Sequence, residues 1–124
     1  MKTSLKSILI AVVGVWAAAA WAAEPSKLPK LIDLGADKCI PCKAMAPILK
    51  DLKTEYAGRM EVEFIDVWKN PDAGKAYGVE MIPTQIFYDA SGKELERHTG
   101  FFGKEDILAK WKELGVELAA AEKK

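Results

Sequence analysis

The fold of this chain is decided by residues 31–43, LIDLGADKCIPCK. The first four residues form an apolar run that contains one acid, which predicts a buried strand that ends at Gly35. A pattern of helical period begins at Cys39 and continues to about Tyr56. We therefore predict a strand, a short turn and a helix, with Cys39 and Cys42 at the start of the helix.

The two cysteines are the only thiols of the chain, and two residues separate them. Such a pair can cycle between a dithiol and a disulfide, and in a strand–turn–helix setting it indicates a redox site. A cysteine attacks as a thiolate, which the unpaired N–H groups at a helix start stabilise. Cys39 is predicted to attack. Cys42, one helical turn later, can then attack the mixed disulfide, and Pro41 suits the first helical turn.

Other uses of the pair have to be weighed. A purely structural disulfide would close a loop of two residues and would constrain the unfolded chain weakly. Zinc sites usually have four ligands, and His98, the only histidine, lies far away in a predicted hairpin. Covalent haem attachment needs histidine directly after Cys42, where Lys43 stands. Binding of Cu(I) by the two thiolates stays open, since soft ligands suit that ion.

Asp33 is the next informative residue, because it lies inside an apolar run six residues before Cys39. We predict that it is buried behind the cysteines. Burial raises the pKa of an acid, so Asp33 could exchange a proton with Cys42. The alternative is an Asp33 that faces solvent at the end of the strand or caps a turn.

The rest of the chain continues the alternation of strands and helices. Met60–Trp68 and Thr84–Tyr88 carry strand patterns, and Lys93–His98 pairs back on the latter as a hairpin. Asn70-Pro71 starts a short helix that ends at about Tyr77, and a last helix starts at Lys104. The order β-α-β-α-β-β-α predicts an α/β domain with a central mixed β-sheet flanked by helices.

The N-terminal residues 1–22 have the three-part pattern of a secretory signal peptide. Lys2 and Lys6 precede an apolar stretch from Ile8 to Ala20, and Ala20-Trp21-Ala22 offers a cleavage site. The apolar stretch is shorter than the roughly 20 residues of a membrane span, and an uncleaved N-terminal anchor is the alternative. Either way we expect an extracytoplasmic, for example periplasmic, domain. The predicted division is a lead-in at 23–30, one domain at 31–118 and a frayed tail at 119–124.

The charge balance gives no case for nucleic-acid binding. Removal of residues 1–22 lowers the count of lysine and arginine from 18 to 16 against 18 acids, a net charge of −2. No nucleotide, flavin or haem motif is visible, and no cofactor is expected. A single small domain is expected to be a monomer, with membrane contact only if the signal segment stays attached.

These residues together resemble the thioredoxin family closely, from about Leu31 to Leu114. The resemblance implies a thioredoxin-like fold that is N-terminally shortened, because the chain before Leu31 is too short for the usual first strand and helix. The matching positions are Asp33, the run Cys39-Ile40-Pro41-Cys42-Lys43, Pro47, Ile82-Pro83-Thr84 and Gly100.

The resemblance also assigns roles. It implies that Cys39 attacks, that Cys42 resolves, that Asp33 is the buried proton-transfer acid and that Pro83 is a cis proline. Substrate backbone is expected to bind Ile82 in strand-like fashion. The implied substrate-binding residues are Ile40, Pro41, Ile82, Pro83, Thr84 and Gly100, with Phe101 as a possible extension.

The chain departs from the usual pattern at several positions. Lys38 and Ile40 replace a tryptophan and a glycine, Gly35 replaces an aromatic residue, and Val62 stands near the place of the lysine that partners the buried acid. These changes leave the exchange chemistry intact.

The sequence therefore predicts an extracytoplasmic thiol–disulfide oxidoreductase that acts on protein disulfides. Isoleucine before the proline of the pair resembles the reducing members, and a membrane electron carrier would then recharge the protein. A disulfide-forming oxidant and a Cu(I) metallochaperone are the alternatives.

Overall fold

The computed structural model describes residues 28–118. The predicted signal segment, residues 23–27 of the lead-in and the predicted frayed tail lie outside the described residues. Within residues 28–118, no helix has both the length and the apolar character needed to cross a membrane.

The described chain contains four strands and three helices, in the predicted order β-α-β-α-β-β-α. The α/β fold class is confirmed. The elements are β1 (Lys30–Gly35), α1 (Ile40–Glu55), β2 (Glu61–Asp66), α2 (Pro71–Ala76), β3 (Thr84–Tyr88), β4 (Glu94–Thr99) and α3 (Lys104–Glu113).

The four strands form one mixed sheet in the order β2-β1-β3-β4. β1 runs parallel to β2 and antiparallel to β3, so it is central. Asp33, in the middle of β1, lies opposite Phe64 of β2 and Gln85 of β3. A central strand is covered on both faces, which explains why β1 is an almost continuous apolar run.

Side chains alternate between the two faces of β1. Leu31 belongs to the larger core, which α1 and α3 cover, whereas Ile32 and Leu34 belong to a smaller core on the opposite face. Asp33 and Gly35 therefore share the α1 side of the sheet with Leu31. The buried members of the larger core are Leu31, Met45, Leu49, Leu52, Met60, Phe87, Ile107 and Trp111.

Strand β2 ends earlier than the apolar pattern predicts. The carboxylate of Asp66 accepts hydrogen bonds from the backbone N–H groups of Trp68 (2.9 Å) and Lys69 (3.0 Å). Such aspartate bonds to the following backbone form a turn that competes with the strand. The apolar residues Val67 and Trp68 thus continue the pattern into a turn.

Candidate redox active site

Cys39 is the N-cap of α1, where the chain leaves an extended conformation and enters the helix. Its sulfur accepts a hydrogen bond from the backbone N–H of Cys42 at 3.4 Å. The two cysteines are joined in a disulfide, with their Cα atoms 5.1 Å apart. When the bond is reduced, a thiolate at Cys39 would lie at the positive end of the helix dipole, which favours the charged form.

The two sulfurs differ in exposure. Cys39 is half-buried, whereas Cys42 is only 3% exposed. Ile40 and Pro41, between them, are both exposed. An incoming disulfide can therefore reach Cys39 from outside, and Cys42 lies behind it.

Gly35, at the end of β1, makes room for the inner sulfur. A Cβ atom at this position would lie 3.0 Å from the Sγ atom of Cys42 and 3.2 Å from the ring of Phe64. A cleft of about 370 Å³ opens beside this contact, between α1 and β2. Its lining includes Cys42, Leu49, Val62 and Phe64, with Lys43, Lys50 and Lys53 from α1.

Asp33 is fully buried, as predicted. Its Oδ1 atom accepts a hydrogen bond from Nε2 of Gln85 at 2.9 Å, while Oδ2 is buried without a hydrogen-bond partner among the described residues. Burial raises the pKa of Asp33 to about 6, and the Gln85 hydrogen bond opposes part of that rise. Asp33 lies two residues before Gly35 on the same face of β1. A carboxyl group of this acidity suits proton exchange near neutral pH.

The Met81–Thr84 loop leads into β3 beside the end of β1, because Leu34 pairs with Thr84. The Ile82–Pro83 peptide bond is cis. The N–H of Gly100 donates a hydrogen bond to the Pro83 carbonyl at 2.7 Å, which brings these two predicted site residues together. The roles predicted for this loop in substrate binding stay predictions.

Thr84 lies at the inner end of this loop and is 3% exposed. Its hydroxyl donates a hydrogen bond to the Met81 carbonyl at 2.6 Å. The side chain thus supports the shape of the loop, and a contact of Thr84 with substrate stays a prediction.

Three large apolar side chains are exposed on the segments that carry the predicted site. Ile40 is 81% exposed, Met81 is 69% exposed and Phe101 is 51% exposed. Ile40 and Phe101 are expected from the sequence pattern, whereas Met81 is not. Its only sequence signal is its place directly before Ile82-Pro83.

Two polar residues outside the predicted site, Gln85 and His98, are linked to Asp33. Gln85, fully buried, bonds to Asp33 through Nε2, and its Oε1 atom lies 2.9 Å from Nδ1 of His98. Strand alternation could have placed Gln85 on the inner face, but no local pattern indicates its partners. Within residues 28–118, no group of three or more His, Cys, Asp and Glu side chains could hold a metal ion.

Comparison with known proteins identifies the family. The thioredoxin family model matches residues 13–113, a range that begins inside the predicted signal segment. The chain is 45% identical over 56 residues to thioredoxin from Thiocapsa roseopersicina, a match that covers 45% of this chain and 62% of that protein. It is 37% identical over 78 residues to thioredoxin from Staphylococcus epidermidis, which covers 63% of this chain and 74% of that protein.

Solved structures show the same fold. A structure described as that of a malarial protein superposes with a TM-score of 0.66 at 22% identity, over 72% of this chain and 99% of that one. Chloroplastic thioredoxin z superposes with a TM-score of 0.64 at 25% identity, over 72% of this chain and 80% of that one.

The fold and the disulfide-bonded pair Cys39–Cys42 define a thioredoxin-like thiol–disulfide oxidoreductase. The chain belongs to the thioredoxin family.

Proposed function

We propose that this protein is an extracytoplasmic oxidoreductase that reduces disulfide bonds in other proteins. The observation that carries the proposal is the arrangement of two sulfurs at the start of α1 and one carboxyl group in the middle of β1. A half-buried Cys39 caps the helix, a buried Cys42 is bonded to it, and the buried Asp33 carboxyl lies on the same face of the sheet.

The reaction starts from the reduced pair. The Cys39 thiolate attacks a substrate disulfide, so that a bond to Cys39 forms, the substrate S–S bond breaks and the leaving sulfur takes up a proton. The Cys42 thiol then gives its proton to the Asp33 carboxylate and attacks the Cys39 sulfur. The Cys39–Cys42 bond forms and the second substrate thiolate leaves. The bond between Cys39 and the substrate breaks in this step, two electrons have then passed to the substrate, and Asp33 gives its proton to the departing thiolate.

Substrate docking is proposed for the exposed apolar side chains around the pair. Ile40, Met81 and Phe101 are all more than half exposed. The backbone at Ile82 precedes β3 and is available to pair with an extended substrate segment by β-augmentation. We expect an unfolded or extended stretch around the substrate disulfide to bind there.

The location is proposed from residues 1–22, whose positive start, apolar core and small residues before position 23 are typical of a signal peptide. After expression in a bacterium, we expect the periplasmic fraction to contain a protein that begins at Ala23, as measured by intact mass. An intact Met1 in the membrane fraction would indicate an anchor, and an intact chain in the cytosol would contradict the proposal.

The direction of electron flow is proposed from the resemblance of Ile40-Pro41 to the reducing members of the family. A reductant outside the cytoplasm needs a membrane electron carrier that restores its dithiol. We propose that this protein receives electrons from such a carrier and that it acts as a monomer. Each 30 mV of reduction potential changes the free energy by about 1.4 kcal/mol for two electrons, so the potential decides the direction.

A redox titration against dithiothreitol and glutathione tests the direction, with insulin reduction as the activity assay. We expect a potential near that of thioredoxins, about −270 mV. A value near about −120 mV would contradict the reductase and favour an oxidant. Tight, stoichiometric Cu(I) binding without any thiol exchange would favour a metallochaperone.

Cysteine variants test the roles of the two sulfurs. Cys42→Ser should accumulate mixed disulfides with substrate through Cys39, because the resolving thiol is missing. Cys39→Ser is the matched control and should trap little, since Cys42 is buried. Equal trapping by both variants in a non-reducing gel would contradict the assignment.

A further inference from the structure

A line of hydrogen bonds connects Asp33 on the central strand β1 with His98 on the edge strand β4. Gln85 Nε2 donates to Asp33 Oδ1, and Gln85 Oε1 is paired with His98 Nδ1, both at 2.9 Å. The three residues come from β1, β3 and β4 and follow the sheet register, in which Asp33 pairs with Gln85 and Gln85 pairs with His98. The chain of contacts is therefore built into the strand pairing.

Hydrogen-bond chemistry sets the direction of this line. An ionised carboxylate only accepts, so the Gln85 group that faces Asp33 has to be its NH2. The Gln85 oxygen then faces His98 and also only accepts, so Nδ1 of His98 has to carry a hydrogen. While Asp33 is ionised, every donor along the line points toward it.

The turned amide would have the opposite effect. If Gln85 rotated by half a turn, its oxygen would face the carboxylate, an arrangement that suits only protonated Asp33. A hydrogen on Nδ1 of His98 disfavours that rotation. The turned amide would point its NH2 group at Nδ1–H, and two donors would then face each other without an acceptor. Gln85 is fully buried, so water does not replace a lost partner freely.

The ring of His98 is itself held in place. It stacks on the ring of Phe102, with centroids 3.9 Å apart and planes inclined by 14°. The N–H of Phe102 in turn donates to the sulfur of Met45 on α1 at 3.3 Å. Through Phe102, the His98 ring is thus held against α1, the helix that starts at the redox pair.

We propose that His98 is a positioning residue that, through Gln85, keeps the amide N–H aimed at Asp33 and so stabilises its ionised, proton-accepting form. This goes beyond the assignment of Asp33 as the proton-transfer acid, because it adds two residues that determine how readily Asp33 ionises. Its catalytic consequence rests on the proposed exchange function, whereas the hydrogen-bond chain can be tested without any activity.

Other ionisable groups near this line have to be considered. Phe64, which does not ionise, lies opposite Asp33 on β2, and Cys42, which α1 brings to the neighbouring Gly35, is held in the disulfide of the oxidised protein. Strand alternation places Glu96 on the same face of β4 as His98. Lys104, at the start of α3, pairs with Glu55 of α1 at 2.6 Å.

The test is a titration of Asp33 in the oxidised, full-length protein, followed by carbon-13 NMR of its carboxyl group. His98→Phe keeps an aromatic ring for stacking but removes the donor, and we expect it to raise the titration midpoint by roughly half to one pH unit. His98→Asn is the matched control, because its side-chain NH2 can take the place of Nδ1–H. It should restore most of the original midpoint.

A double-variant cycle tests whether His98 acts on Asp33 through Gln85. In a Gln85→Leu background, which cuts the line, His98→Phe should cause no further shift. An unchanged midpoint in His98→Phe alone, an equal shift in His98→Asn, or a further shift in the Gln85→Leu background would each overturn the proposal.

A second measurement needs no variant. Nitrogen-15 shifts of the His98 ring, recorded for the wild-type protein at alkaline pH, show which nitrogen carries the hydrogen of the neutral ring. We expect hydrogen on Nδ1, and a neutral ring with its hydrogen on Nε2 would contradict the proposal.

The kinetic consequence has a separate readout. The rate at which Cys42 resolves a mixed disulfide should follow the Asp33 midpoint, so that its pH profile moves upward in His98→Phe and returns in His98→Asn. A wild-type protein that exchanged no thiols would remove the proposed function but would leave the NMR result standing. A moved midpoint with an unmoved rate profile would overturn the catalytic part alone.

Discussion

At the scale of single residues, the acidity of Asp33 results from two opposed influences. Burial disfavours the carboxylate, and the hydrogen bond from Gln85 favours it, with burial the stronger. The resulting pKa of about 6 lets Asp33 be ionised at neutral pH and still bind a proton readily. Its Oδ2 atom has no hydrogen-bond partner among residues 28–118, which leaves an acceptor for that proton.

Asp33→Asn should slow resolution of the mixed disulfide by about tenfold or more above pH 6, because the asparagine cannot accept the Cys42 proton. Below about pH 6, where Asp33 is protonated in the wild type, the two rates should converge. Stopped-flow measurements over pH 5–8 check this, with the exposed Glu80→Gln as control. An unchanged pH profile would remove Asp33 from the mechanism.

Gly35→Ala tests the close approach of β1 to the redox pair. The added Cβ would lie 3.0 Å from Cys42 Sγ and 3.2 Å from Phe64, so one of these groups has to move. We expect a loss of about 1–3 kcal/mol in the free energy of unfolding, measured with denaturant. Phe64→Ala in the same chain should recover part of the loss, and full stability of Gly35→Ala alone would contradict the geometry.

At the scale of elements, α1 is held in place by a stripe of buried side chains that starts about one helical turn after Cys42. Met45, Leu49 and Leu52 pack into the larger core, and the cysteines lie at the first turn. Pro47 lies inside the helix, which runs through it from Ile40 to Glu55. The packing of this stripe thus fixes the position of the N-cap.

Leu52→Ala separates this anchoring from the chemistry. Removal of a fully buried leucine should lower the free energy of unfolding by about 2–5 kcal/mol. Thiol exchange per folded molecule should stay unchanged at low temperature, since Leu52 is more than two helical turns from Cys42. The exposed neighbour Lys53→Ala is the control. Loss of thiol exchange in a fully folded Leu52→Ala protein would contradict this separation, because it would show that Leu52 affects the reaction itself.

At the scale of the whole molecule, the buried carboxyl makes stability depend on pH. The pKa of Asp33 is about 6 in the folded protein against an ordinary value of 3.8, so the folded state binds the proton more tightly. Stability linked to this group is therefore fully present below about pH 4, falls as the pH rises to about 6 and stays low above that.

Asp33→Asn should remove this dependence. Relative to the wild type, its free energy of unfolding should rise between pH 4 and pH 7 by up to about 3 kcal/mol, because the asparagine has no charge to bury. Thermal and denaturant unfolding of the oxidised protein at both pH values measure the difference. Glu80→Gln, at an exposed position, should show no such change, and a constant difference for Asp33→Asn would contradict the linkage.

Much of the fold could be predicted from local patterns. Periods of two and 3.6 residues predicted the element order, and the cysteine spacing predicted a disulfide-forming pair at a helix start. These features depend on neighbours within about one turn or strand. The early end of β2 was missed, because the hydrogen bonds of Asp66 override an apolar pattern that continues to Trp68.

The sequence by itself determined which residues form strands and helices and that Cys39 caps α1, because both depend on contacts between residues close along the chain. Only the tertiary structure decided that Gln85, 52 residues after Asp33, donates to it and that His98 backs Gln85. It also decided why position 35 is glycine, since Cys42 and Phe64 reach that point from two other elements. Such contacts depend on strand register and on helix packing, which no local pattern encodes.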